Sequence, residues 1–440
     1  MTVTVVGGGL AGSEAAWALA ERGCRVTIVE MRPERKTPAH HSDRLAELVC
    51  SNSFKSTELA NAHGLLKAEL RTLGSLLLEC ADACRVPAGA ALAVDRELFS
   101  ALVHQRVSAH PNIRLERAEV TVLPSPGIVA TGPLTSEALG AAIAGRLGAS
   151  ALAFYDAIAP IISHESLDLG RLYALSRYGK GGGDDYLNAP FTRDGYEAFI
   201  AALTGADEFT AHAFDQVPYF EGCLPVEEMA RRGPDTLRFG PMKPVGLPDP
   251  ATGRDPWAVV QLRREDRAGQ MWNLVGFQTR LRIPEQQRVF RLIPGFEQAE
   301  FLRYGSIHRN SYLNTPAALT PALTARDDER LFFAGQLTGV EGYTESIATG
   351  LLAGINLARR LAGQPVTLPP PTTMLGALYR YLREADPRHF QPMNANFGLL
   401  EPLSDEEGGG KRSKKTEKTE KKARLVERAQ RDFENWKGTL

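Results

Sequence analysis

An α/β architecture, a parallel-sheet domain interrupted by an inserted α+β domain, is predicted by three observations in the 440-residue sequence. The chain opens on a strand, a glycine turn, a helix and a second strand over Thr2–Glu30. A strand-to-helix unit of the same kind returns at Arg330–Leu361. Between them the character changes through Tyr155–Pro225, where the glycine run YGKGGGDDYLNAPF interrupts aromatic and polar stretches.

The opening unit is read residue by residue. Val3, Val5 and Val6 form an apolar run suited to a strand buried in a parallel sheet. Gly7, Gly9 and Gly12 follow with G-x-G-x-x-G spacing, and Gly8, Leu10 and Ala11 complete the turn. The first glycine makes the tight turn, the second admits a pyrophosphate and the third lets helix meet strand. A helix over 11–21 aims its N-terminal amides and positive dipole end at that pyrophosphate, and Gly23 stops it. Val26–Val29 make the second strand, ended by Glu30, where a carboxylate can bind ribose hydroxyls and favours FAD or NAD over NADP.

Composition bounds the rest. With 43% apolar and 23% charged residues the chain reads as an ordinary globule, and its length calls for two or three domains. It holds no apolar run of the roughly eighteen residues a membrane helix needs, and no basic-plus-apolar leader. A cytoplasmic protein without a membrane contact is expected. The net charge of -1 hides an asymmetry: residues 411–440 carry 11 basic and 5 acidic side chains, leaving the body mildly acidic. Cys24, Cys50, Cys80, Cys84 and Cys223 show no C-x-x-C spacing, which argues against a structural metal or a disulfide framework.

Beyond the opening unit, a polar segment over 31–57 is placed near the nucleotide, and 65–84 is predicted to be one leucine-rich helix. A helix over 97–107, strands over 113–115 and 119–123, and a helix over 134–147 follow. Gly127–Gly132, GIVATG, is a strand whose Ala-Thr-Gly ending brings Thr131 and Gly132 back to the nucleotide. That ending belongs to flavoproteins of the glutathione-reductase type and narrows the first domain to an FAD-binding, Rossmann-like one. In the returning unit, Leu331–Phe333 is a buried strand, Gly335 a turn, and 346–361 a helix of small residues. Its N-terminus, with Ser346, suits a flavin ring, because the dipole stabilises the anionic reduced form. Gln336 stands where an acidic residue is usual. The boundaries read as 1–150 and 321–403 for the FAD-binding domain, 151–320 for the insertion, and 404–440 for an acidic and glycine linker with a basic tail. The glycine run is expected to be a flexible active-site loop, and 425–436 a short terminal helix.

Two cysteines stand out as candidates for chemistry. Cys50, in LVCSNSFKS, precedes helix-capping residues, and a helix N-terminus activates a thiol. Cys223, in YFEGCLPVEE, occupies a Gly/Pro turn where core filler is out of place. Cys24, Cys80 and Cys84 read as core. Tyr343, in a loop beside the flavin helix, is placed to stack on a planar ring. Ser306, His308, Arg309 and Asn310, in YGSIHRNSYLN, form a polar patch that the insertion can present to a ligand, and Arg282 is a further substrate-binding candidate.

Taken together, GGGLAGSEAAW, LVCSNSFKS, YGKGGGDDYLNAPF, FEGCLPVEEMARRGPDTLRFGPMKPVGL, GSIHRNSYLN, GYTESIATG and NFGLLEP resemble the folate- and FAD-dependent tRNA uridine-5-methyltransferase family. The resemblance spans residues 1 to about 403 and leaves out the basic tail. It implies methylation of the T-loop uridine of tRNA to ribothymidine, with carbon from methylenetetrahydrofolate and electrons from NADH or NADPH through FAD. It also implies two active-site cysteines, falling on Cys50 and Cys223. Uracil C5 becomes nucleophilic once a thiolate adds at C6, and a base then removes the C5 proton. Cys223 is assigned the addition and Cys50 the flavin side, with the exchanged assignment open. Arg231, Arg232, Lys243, Arg263, Arg264 and the tail are candidates for tRNA phosphates. No obligate protein partner is evident. Alternatives are the related family that modifies the tRNA wobble uridine, a flavin thiol oxidoreductase, and a non-catalytic flavin or RNA scaffold.

Overall fold

The computed structural model describes residues 2–37, 39–148, 152–209, 224–403 and 414–440; for 152–156, 308, 309 and 414–418 it describes the backbone. The opening motif lies at the centre of a six-stranded sheet. Its order is Thr324–Ala325, Asp328–Phe333, Gly127–Val129, Thr2–Val6, Arg25–Glu30, Ile113–Arg117. All neighbours are parallel except the short Thr324–Ala325 edge. The valines of Thr2–Val6 are buried because this strand has neighbours on both edges and helices against it, the arrangement that an apolar parallel strand requires.

The two nucleotide-type helices, Leu10–Ala20 and Tyr343–Leu361, pack directly on each other. Small residues permit this: a Cβ on Gly350 would stand 2.2 Å from the Ala11 carbonyl oxygen, and one on Gly354 2.6 Å from that of Ala15. The second helix starts before Ser346, so Tyr343 lies in its first turn and not in the preceding loop.

Three local expectations are corrected. Residues 65–84 form two helices, Ala62–Thr72 and Leu76–Ala83, because Gly74 adopts φ +77° and Ser75 caps the second by accepting from the Leu78 amide. Residues 119–123 form no strand: Ile113–Arg117 is already the sheet edge, and the chain beyond it passes along the cavity described below. The glycine run is pinned. The Asp185 carboxylate accepts from the amides of Gly89 and Gly182 at 2.6 and 3.2 Å, and the Ser176 hydroxyl accepts from the Asp185 amide at 3.0 Å.

The chain leaves the parallel sheet on Leu152–Ile158 and returns on Ser306–Tyr312, and these two strands pair antiparallel, Ile307 opposite Ala157. Between them lies an antiparallel six-stranded sheet ordered Tyr173–Ala174, Tyr186–Phe191, Ala258–Arg264, Met271–Leu274, Ile161–Ser163, Phe301–Arg303. It has its own core, with Phe191, Phe199, Phe277, Phe290 and Phe296. A small sheet of Ser53–Ser56, Ala91–Val94 and Arg85–Val86 stands between the two cores.

The terminal helix, Lys414–Lys437, is longer than predicted. Leu425, Val426, Ala429, Phe433 and Trp436 are buried against the first core, at the spacing of one helix face. The Trp436 indole donates to the Thr367 hydroxyl at 2.8 Å, and Thr372 donates to Asp432 at 2.6 Å. Among the described residues no helix is long and apolar enough to cross a membrane.

Candidate active site

The glycine turn divides its work among three residues. Gly7 holds φ +96°, and a Cβ there would meet the Ala130 carbonyl oxygen at 2.7 Å. A Cβ on Gly12 would stand 1.8 Å from the Gly7 carbonyl oxygen. Gly9 differs: it is the N-cap of Leu10–Ala20, and a Cβ there meets nothing within 4 Å, so it faces open space at the positive end of the helix.

That open space is a cleft enclosing about 1000 Å³, part of it continuous with solvent. Of the sequence-predicted nucleotide residues, Gly7, Gly9, Leu10, Ala11, Glu30, Thr131, Gly132, Gly335, Gln336, Tyr343 and Ser346 line it. Gly8 and Gly12 stand behind the lining, where Gly8 donates its amide to Glu30 at 2.8 Å. The lining comes from the ends of the five neighbouring parallel strands and from the first turns of both packed helices. A glycine cradle, a helix N-terminus and a second helix start beyond it fit an extended dinucleotide such as FAD.

Glu30 is buried and paired with Arg32, 2.9 Å from the guanidinium Nε. Burial pushes its carboxyl up, but the Arg32 guanidinium and the Gly8 amide outweigh burial and hold it below the usual carboxylate range. Its oxygens are therefore fixed in place before any ribose arrives. Gln336 is similarly engaged, donating to Glu341 at 2.6 Å. Thr131 shares a hydrogen bond with Thr135 at 2.6 Å. His40, also in the lining, is pushed down to about 4 by burial and by the Arg32 charge, so its ring is neutral beside the cleft at neutral pH.

Val49 and Tyr343 also line the cleft, and Cys50 follows Val49 in the chain. No helix begins there: the segment runs into the strand Ser53–Ser56, so the helix-capping argument for its activation fails. Its surroundings are set instead by side chains from distant parts of the chain. The Tyr343 hydroxyl accepts from the amides of Cys50 and Ser51 at 2.9 and 3.1 Å and donates to the Ser51 carbonyl at 2.9 Å. Its ring rests against Phe54, with centroids 5.6 Å apart. Arg96 donates to the carbonyls of Leu48 and Cys50 at 2.8 and 3.2 Å, and Arg303 to that of Val49 at 2.8 Å. Asn52, fully buried, donates to the carbonyls of Val94 and Arg264 at 2.9 and 2.8 Å and accepts from the Arg263 guanidinium at 2.9 Å.

Behind this segment lies a buried ionic group that sequence reasoning missed. Glu345, in the first turn of Tyr343–Leu361, accepts from His63 at 3.1 Å and from the Ala395 amide at 2.9 Å. Lys67 donates to the Phe54 carbonyl at 2.6 Å, and burial pushes its ammonium down to about 7. Glu345 and His63 lie in GYTESIATG and in a helix start, but nothing in either pattern announces a pairing 282 positions apart.

Cys223 lies outside the described residues, as do the side chains of His308 and Arg309, whose backbone belongs to the strand Ser306–Tyr312. Asn310, on the same strand, is buried. Arg282 is exposed and borders a separate small cavity with Ala206, Asp207 and Glu208. Among the phosphate candidates, Lys243 is exposed, whereas Arg231 pairs with Glu208 and Glu228, and Arg263 is spent on Asn52.

Comparison with known proteins agrees over the whole length. The family model described as Glucose inhibited division protein A matches residues 2–365. The methylenetetrahydrofolate–tRNA-(uracil-5-)-methyltransferase TrmFO of Geobacter sulfurreducens is 56% identical over 440 residues, 100% of this chain and 99% of that protein. The protein of the same name from Moorella thermoacetica is 57% identical over 405 residues, 91% of this chain and 92% of that protein. Among solved structures, GidA of Aquifex aeolicus in the form II crystal aligns with a TM-score of 0.69 at 16% identity, covering 99% of this chain and 73% of that one, a likeness of fold. Because the Geobacter sulfurreducens match covers all 440 residues, the basic tail lies inside the shared length, contrary to the sequence expectation.

Proposed function

Because the chain belongs to the family of methylenetetrahydrofolate–tRNA-(uracil-5-)-methyltransferases, within the wider Glucose inhibited division protein A family, we propose that it methylates C5 of the T-loop uridine of tRNA. The carbon comes from methylenetetrahydrofolate, and NADH or NADPH is the reductant. When bound, FAD supplies the two electrons that turn a methylene into a methyl. The supporting observation is the placement of Cys50, fastened through Tyr343 to the first turn of the helix that closes the dinucleotide cleft.

The glycine turn, Glu30, Thr131, Gly132, Gly335, Gln336 and Ser346 are assigned to holding FAD. Cys223 adds through sulfur to C6 of uracil, making C5 a carbanion-like centre. C5 then bonds to the folate methylene as one methylene–nitrogen bond opens, a base on the Cys50 side takes the C5 proton, the second methylene–nitrogen bond breaks to release tetrahydrofolate, and once the methylene has been reduced to methyl the C6–S bond breaks to return the thiolate. Tyr343 presents its ring toward the planar reactants while its hydroxyl holds Cys50. Residues 1–150 and 321–403 serve as the FAD-binding domain and 151–320 as the substrate and tRNA domain, with Arg282, His308, Arg309 and Asn310 as substrate contacts. The linker and basic tail occupy 404–440.

Mass spectrometry of the T-loop nucleoside, after reaction with isotopically labelled methylenetetrahydrofolate, tests this reading. Label in the C5 methyl of ribothymidine is expected. Unlabelled T-loop uridine, or label at the wobble position, would overturn it.

A further inference from the structure

The Cys50 segment is gripped from two directions by guanidinium groups. Arg96 heads the helix Arg96–Ser108 and takes the carbonyls of Leu48 and Cys50. Arg303 ends the last strand of the inserted sheet and takes the carbonyl of Val49 between them. Three successive carbonyls are thus fixed by two arginines that belong to different cores.

The charges do not balance. Glu265, from the inserted unit, pairs with Arg96 at 2.6 Å. Its second oxygen is buried without a hydrogen-bond partner, so the carboxylate is spent on one side. Among the described residues no carboxylate pairs directly with Arg303. Burial, and then the nearby Arg96, push the Arg303 guanidinium down from its ordinary value. Two guanidiniums withdrawn from water therefore face one carboxylate. A surplus cation is costly in such a place unless an anion stands beside it.

Among the described residues, three titratable groups face this cluster. They are Glu265 from the end of the inserted strand, Tyr343 from the flavin-side helix, and Cys50 itself, which lies within electrostatic reach of both arginines. The Tyr343 hydroxyl is already engaged, donating a hydrogen bond to the Ser51 carbonyl. The sulfur is left as the group that can carry the compensating charge, and cations beside a thiol favour its thiolate.

We propose that Arg303 is a positioning residue through which the inserted unit holds Cys50 in register and keeps its sulfur in the thiolate form. This rests on the reading of Cys50 as an active-site thiol. The same contact makes the docking of the inserted unit a condition for an activated Cys50.

The test is the pH dependence of alkylation at Cys50 by iodoacetamide in the full-length FAD-containing protein, resolved from other cysteines by peptide mass spectrometry. Arg303→Met should raise the midpoint by about one unit and, at a pH well below both midpoints, slow alkylation about tenfold, since there one unit of pKa is a tenfold change in thiolate fraction. Arg303→Lys, which keeps the charge, should stay near the wild type. Glu265→Gln, which removes the balancing carboxylate, should move the midpoint the other way. An unchanged midpoint in Arg303→Met, or shifts of the same sign in Arg303→Met and Glu265→Gln, overturns the proposal. Should Arg303→Met lose its FAD, Glu265→Gln decides alone: a falling midpoint supports the proposal, and a steady or rising one overturns it. Methyl transfer is scored separately with labelled folate, so a failure of the proposed activity is distinguishable from a failure of this assignment.

Discussion

The hydroxyl of Tyr343 lies 2.9 Å from the backbone amide of Cys50, joining the first turn of a C-terminal helix to a thiol 293 positions earlier in the chain. The same oxygen serves Ser51 twice, so one phenol sets the course of the segment. Tyr343→Phe keeps the ring and strands two amide donors, at a cost of about 1–3 kcal/mol. A drop in kcat of about tenfold with FAD content unchanged is expected, because misplacing a reacting group weakens catalysis more than binding. Equal kcat in the variant and the wild type, measured by T-loop methylation, would remove the positioning role.

The two cysteines are separable by covalent trapping. With tRNA carrying 5-fluorouridine at the target site, Cys50→Ala is expected to form a covalent protein–RNA complex, and Cys223→Ala is not. The reverse pattern on a denaturing gel exchanges their roles.

Gly12 tolerates no side chain. A Cβ 1.8 Å from the Gly7 carbonyl oxygen forces the turn and the helix start apart. Gly12→Ala should destabilise the fold by about 1–3 kcal/mol or more and release FAD. Retention of stoichiometric flavin absorbance after purification would contradict the cradle.

His40 predicts an acid limit. Its folded value near 4 lies below the ordinary 6.5, so between those values the unfolded chain binds a proton that the native protein refuses. The stability contributed by the neutral ring is present above pH 6.5 and is lost as pH falls toward about 4. His40→Gln should flatten that limb of a Tm-against-pH curve. A variant curve parallel to the wild type through this window would rule His40 out as its source.

The tail has two parts with different roles. Trp436→Ala removes a buried indole from the first core and should cost about 3 kcal/mol, read as a lower Tm. The salt slope of tRNA binding should not change. Neutralising Lys411, Arg412, Lys414 and Lys415 should leave Tm unchanged and make that slope shallower if the basic run meets phosphate. An unchanged slope excludes it.

The nucleotide half of the fold was legible because its determinants are local. Gly7, Gly9, Gly12 and Glu30 act within one strand–turn–helix–strand unit, and Thr131 and Gly335 announce the neighbouring strand ends through their own turns. Gly74-Ser75 carries a stop followed by a cap, but the leucine periodicity running across it masked the break, and 65–84 reads in sequence as one helix. Arg96 and Arg303 were not legible. Their partners are backbone carbonyls 46 and 254 positions away, and a carbonyl leaves no mark in a sequence. The surroundings of Cys50 were misread for the same reason. Ser51, Asn52 and Ser53 read as caps, yet Asn52 is a bridge from this segment to Val94 and to the inserted strand.

The paired strands Leu152–Ile158 and Ser306–Tyr312 carry a consequence for how the molecule tolerates change. Because departure and return are adjacent, everything threaded between them joins the chain at a single stem, with Arg303, Glu265 and Asp185 making further contacts across to the first domain. A nucleotide-binding scaffold could thus acquire a new clientele by splicing at one point, with the contacts to Cys50 as the lock that the incoming piece must fit.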